Sequence, residues 1–151
     1  MQTVAVLSLK GGVGKTTIVL GLASAAQRRG TRTLVVDIDG VVVRNRGPYF
    51  PPLWEEPDEP IAANVEHLKA LAAEGAQLVF MTARPEAFRA KTEATLGGLG
   101  LSWHALVMGC HHAQRVIVND YAASNPHPSC EAVNLPRESP ALPDLLPLEG
   151  G

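Results

Sequence analysis

The sequence predicts an α/β fold: an open, mostly parallel, Rossmann-like sheet in a three-layer α/β/α sandwich. Three observations predict it. Short β-branched apolar runs alternate with segments of helical periodicity. The runs are apolar throughout, as strands covered on both faces are. Each of the runs that matter most stops at a glycine or a polar residue, where an open parallel sheet presents its ligand edge. The chain has 151 residues, enough for one core and too few for two enzymes side by side.

Taken in order, residues 3–9 (TVAVLSL) form a buried strand ended by glycines. Residues 10–17 (KGGVGKTT) are a glycine loop, and residues 16–29 read as a helix that Gly30 ends. Residues 33–38 (TLVVDI) are the next buried strand and close a β-α-β unit. Residues 44–60 hold five prolines together with Tyr49, Phe50 and Trp54, so they read as a long loop pinned by aromatics. An amphipathic helix over 61–74 carries Ile61, Val65, Leu68, Leu71 and Ala72 on its apolar side and ends at Gly75. QLVFM (77–81) is a strand, and 85–96 a second amphipathic helix followed by Gly97, Gly98 and Gly100. Short strands follow at 105–108 and 115–118, with another candidate at 131–135. Residues 136–151 hold four prolines and no periodicity, and read as a frayed tail. The expectation is therefore one α/β domain over 1–137 and a flexible tail over 138–151.

Composition excludes several classes. Hydrophobic residues at 46% and charged residues at 19% argue against a disordered chain. With 13 basic and 15 acidic residues, nothing in the charge points to nucleic acid. The first apolar run is too short to span a bilayer. Two cysteines, Cys110 and Cys130, make no disulfide scaffold, and the opening residues carry no secretory signal. The expectation is a cytoplasmic, reducing location without a membrane partner.

Reactive residues fall at the ends of the strands. Asp37 and Asp39 close TLVVDI, Thr82 follows QLVFM, and Asp120 follows VIVN. Phosphoryl chemistry needs a nucleophile, a proton donor and positive charge, and clustered carboxylates suit a hard cation such as magnesium. DIDGVV (37–42), FMTARP (80–85) and VIVND (116–120) resemble, in order, the first, second and fourth motifs of the haloacid-dehalogenase superfamily. The resemblance spans about residues 33–137. It implies a phosphatase of phosphate monoesters that works through an aspartyl-phosphate on Asp37. Asp39 would be the acid and base, and Thr82 would bind the phosphoryl oxygens. Asp37, the Asp39 carbonyl and Asp120 would hold Mg2+, with Asn119 in support. Its third motif, a basic residue, would be Arg115, or else Lys91. Only residues 41–76 separate the first two motifs, so the fold would carry little or no cap. That fits a bulky phosphorylated substrate or a partner that closes the site.

The glycine loop carries a second resemblance. Lys10, Gly11, Gly12, Gly14, Lys15 and Thr16 spell a loop in which backbone N–H groups cradle phosphate, Lys15 supplies charge and Thr16 ligates magnesium. The spelling resembles the deviant Walker A unit of the ParA/MinD partition ATPases over about residues 1–39, and implies ATP as a ligand. After Asp39 that likeness departs: the chain continues Gly40-Val41 where those ATPases carry proline and glutamine. The reading is a P-loop-like unit (1–32) joined to a phosphatase-like core (33–137), as a natural fusion or a chimera. The alternatives to the phosphatase are a nucleotide-binding ATPase of the partition type and a non-catalytic phosphate-binding domain. His111, His112 and His127 with the two cysteines match no standard zinc spacing.

Overall fold

A computed structural model of the chain describes residues 32–45, 54–118, 120, 122–124 and 130–148. The strand expected at 3–9, the glycine loop and the helix at 16–29 lie outside the described residues. So do residues 46–53 of the proline and aromatic loop, Asn119 and His127.

Three parallel strands form the sheet in the order β1-β2-β3, with β1 at Thr33–Asp37, β2 at Gln77–Met81 and β3 at Ala105–Val107. The expected α/β class and open parallel sheet are therefore present. β1 and β2 run in register from Thr33 opposite Gln77 to Asp37 opposite Met81, and Met81 lies opposite Val107. The register places Asp37 and Thr82 at the same carboxyl edge. Val36, Leu78 and Phe80 are buried along these strands, where Val36 and Phe80 are of the β-branched and aromatic types that pack well on a pleated face.

Helix α1 (Ala62–Ala73) covers the core with Val65, Leu68 and Leu71. Each such side chain taken from water contributes roughly 1.5–3 kcal/mol. After β2, a 3₁₀ turn at Glu86–Phe88 precedes helix α2 (Arg89–Gly98). The glycines at 97 and 98 do not break α2 as expected. Both are exposed, and buried Leu96 anchors the last turn. The helix ends at Gly98, and just beyond it Gly100, with φ of +75°, lets Leu101 N–H reach the Leu96 carbonyl at 3.1 Å.

Two expectations are corrected. Residues 115–118 are not a strand: Val116, Ile117 and Val118 stand exposed on irregular chain, and 131–135 is irregular too, with Leu135 packed against the core. β-Branched residues favour strands only where an edge is available to pair with. The tail is not frayed over 138–148. It carries a short helical turn, α3 (Leu142–Leu145), and buries Leu142 in the core. Asn64 of α1 docks it: Nδ2 donates to the carbonyls of Val41 and Ser139 at 2.8 and 2.9 Å, and Oδ1 accepts from Leu142 N–H at 3.3 Å. His67 Nε2 lies 2.6 Å from the Leu146 carbonyl.

Candidate functional site

The carboxyl edge is built by chain reversals. β1 stops at Asp37 because the Ile38 carbonyl accepts from Val42 and Val43 N–H at 2.9 and 3.1 Å, folding 38–43 into a turn. Gly40 makes the turn possible with φ of +92°. Asp37 and Asp39 thus leave regular strand geometry between them and take different partners.

Asp37 faces Arg115. The guanidinium donates to both carboxylate oxygens, at 3.1 and 3.4 Å. Burial pushes the Asp37 carboxyl above the ordinary carboxylate range, the Arg115 charge pulls it back, and the nearby Asp39 charge adds to the rise. The net direction is upward. Residues 109–110 bring Arg115 within reach: after β3 the chain folds back, with Gly109 N–H on the Arg84 carbonyl (2.8 Å) and Cys110 N–H on the Thr82 carbonyl (3.0 Å).

Asp39 faces Thr82 and Arg84. Thr82 Oγ1 donates to Asp39 Oδ2 at 2.8 Å and accepts from Arg84 N–H at 3.0 Å. Arg84 Nη2 donates to Asp39 Oδ1 at 2.7 Å, and Nε donates to both Asp39 oxygens at 3.1 and 3.2 Å. On its other side the same guanidinium binds Asp58, from Nη2 at 2.7 Å and Nη1 at 3.1 Å. Thr95 Oγ1 completes the set by donating to Asp58 at 2.7 Å. Burial alone would raise the Asp58 carboxyl, but the bonds from Arg84 and Thr95 outweigh it and hold it below its usual value. Burial works against the Arg84 cation, and its two carboxylate partners more than offset that.

Several expectations change here. Thr82 is fully buried, and its hydroxyl proton goes to Asp39, so it does not offer that donor to a phosphoryl group in this arrangement. Lys91 is not at the site. Its ammonium binds the carbonyls of Trp54 and Glu56, because α2 carries it toward the loop before α1. Of the two basic candidates, only Arg115 meets Asp37. Asp120 is exposed on the irregular segment. No group of three or more His, Cys, Asp or Glu that could hold a metal occurs among the described residues. Asp37 is bound by Arg115 and Asp39 by Arg84 and Thr82, so as placed these residues do not fit a magnesium ion. Arg84 and Asp58 escaped the sequence reading. Arg84 stands inside FMTARP, where a signal existed; Asp58 lies in a proline-rich loop and carried none.

The family model for the CobQ/CobB/MinD/ParA nucleotide binding domain matches residues 4–133. The chain belongs to this family. The match supports the nucleotide-binding, glycine-loop part of the expectation and lends none to the phosphatase part. No curated protein matches the sequence. Among solved structures, one titled as a Pnkp1/Rnl/Hen1 complex is similar at 20% identity and a TM-score of 0.47, over 57% of this chain and 30% of that one. An MCSG target from Vibrio cholerae is similar at 16% identity and a TM-score of 0.41, over 58% of this chain and 79% of that one. The chain thus spans about a third of the length of the first of these. Neither likeness bears on what the site does. No helix among the described residues is long and apolar enough to cross a membrane.

Proposed function

We propose that the carboxyl edge of the sheet hydrolyses phosphate monoesters through Asp37. One observation carries the reading: a half-buried carboxylate at the end of β1 with a guanidinium laid across it, two residues from a second carboxylate held by Arg84 and Thr82. An Asp37 oxygen would attack phosphorus as the bond to the leaving oxygen breaks, and Asp39, entering the step protonated, would give that oxygen its proton and become the carboxylate that Arg84 and Thr82 hold. Water would then attack phosphorus, with Asp39 taking the water's proton, releasing phosphate and restoring Asp37. Arg115 would supply the positive charge that the phosphoryl oxygens need. The test is release of p-nitrophenol from its phosphate ester. Asp37→Asn should lose at least about a thousandfold in kcat, the scale seen when a nucleophile is removed. Undiminished turnover in that variant would sink the reading.

A second reading is favoured by the family match: the chain binds ATP at Lys10–Thr17, with Lys15 on the phosphates and Thr16 on the accompanying magnesium. Family membership supports this reading and lends nothing to a phosphatase. Titration with a fluorescent ATP analogue should show saturable binding that Lys15→Ala removes and Asp37→Asn leaves in place. Lys15 lies before the span 33–137 on which the phosphatase reading rests, so Lys15→Ala reports on the nucleotide reading alone.

A further inference from the structure

We propose that Asp58 is a positioning residue for Asp39, acting through Arg84. The proposal rests on the phosphohydrolase reading and names a further residue on which that site depends.

The geometry is a closed chain. Thr95 holds Asp58, Asp58 holds the open side of the Arg84 fork, and Arg84 with Thr82 holds both oxygens of Asp39. A guanidinium is a rigid planar fork. A single carboxylate partner leaves it free to swing about its stem. A second carboxylate on the opposite edge removes that freedom and sets the plane in which Asp39 is met. The Arg84 side chain is only 3% exposed and that of Asp58 only 7%. Burying one cation with two anions is a costly way to fill space, since an apolar residue of similar volume would pack there at least as well. What the ionic arrangement supplies is orientation.

Asp58 comes from the segment before α1, far in sequence from both partners. Pro57 and Pro60 deny that segment regular structure, yet it is tied down at the other end of its short run. Lys91 binds the Trp54 and Glu56 carbonyls, and Trp54 stacks edge-on to Phe88 at 5.4 Å between ring centres. The Val43–Pro60 bridge and the Arg44 N–H bond to the Glu59 carbonyl (2.8 Å) tie it to the turn that carries Asp39. The loop therefore delivers a carboxylate to a fixed point behind the acid–base residue.

The experiment uses the full chain with Asp58→Asn, which keeps size and removes charge, and Asp58→Glu, which keeps charge. Three quantities are read: kcat and KM for p-nitrophenyl phosphate, the folded fraction from the melting curve, and the Arg84 Nε–H resonance in a 1H–15N spectrum. Asp58→Asn should lower kcat by roughly 10–100-fold, the cost of a misplaced catalytic group. KM should stay within about threefold, as for an interaction made in the transition state alone. The Arg84 resonance should move toward the position of a free arginine side chain. Asp58→Glu should regain most of kcat and of the resonance shift. An active wild type whose kcat survives Asp58→Asn overturns this proposal alone. A fall in activity that only follows the folded fraction, equal in both variants, also overturns it. A wild type inert toward phosphate esters overturns the hydrolase reading and takes this proposal with it.

Discussion

Replacing Arg84 by methionine tests the electrostatic frame of the site. The guanidinium is almost wholly enclosed between Asp39 and Asp58, whose side chains are 18% and 7% exposed. Methionine fills similar volume but leaves two carboxylates facing each other without a counter-charge. Removing one partner of a buried ion pair costs about 3–5 kcal/mol. For a chain of this length each kcal/mol moves the melting temperature by about 2–4 °C, so the expected fall is roughly 6–20 °C at neutral pH. The pH dependence is the sharper part. The Asp58 carboxyl is held below its ordinary value, so the stability it contributes is complete above its unfolded-state pKa and is lost as pH falls through the folded value. In the variant that contribution is gone, and protonation relieves the two bare carboxylates. Thermal melts at pH 7 and pH 3 should therefore show a gap between wild type and Arg84→Met that narrows in acid. Adding Asp58→Leu should recover part of the neutral-pH loss. A loss under about 1 kcal/mol, or one of equal size at both pH values, would refute the reasoning, because an exposed pair behaves that way.

Three more outcomes follow from the same structure. Asp37→Asn should remove phosphatase activity yet melt no lower than wild type near pH 7. The Asp37 carboxyl is pushed above its usual value, so its charged form is disfavoured in the fold, and the gain should stay below about 1 kcal/mol because the side chain is a third exposed. Leu142→Ala should cost about 2–4 kcal/mol in urea unfolding, since Leu142 is packed in the core; a cost near zero would mean that the tail is undocked. Gly40→Ala should destabilise by about 1–2 kcal/mol, because a side chain must adopt φ of +92° and its Cβ would meet Arg137 Cγ at 3.3 Å. Circular-dichroism melts measure it, and an unchanged melting temperature would show that the turn relaxes.

The local alphabet alone was enough for a good part of this fold. The residues TLVVD and QLVFM are continuous apolar runs, and both are strands in parallel register. The periodicity of Ile61, Val65, Leu68 and Leu71 marks one helix whose apolar face is buried. Asp37 and Thr82 were placed at a common edge because parallel strands in register must end together. These features depend on neighbours in sequence, or on the alternation of strand and helix, and both are written in the chain.

Long-range partnership is not. Arg115 reaches Asp37 across 78 positions, and Arg84 joins Asp39 to Asp58 across 45 and 26. No periodicity encodes such meetings, because a side chain's charge says what it can pair with and not what the fold brings to it. The run VIV at 116–118 has the composition of a strand and is exposed irregular chain, since a strand needs an edge as well as a propensity. Leu142 and Asn64 dock a segment whose prolines suggested fraying, through one buried side chain and two hydrogen bonds that sequence spacing does not announce. What sequence determines here is where strands and helices begin and which reactive groups stand at their ends. Tertiary structure decides which of those groups touch, because contact depends on the path of the chain between them.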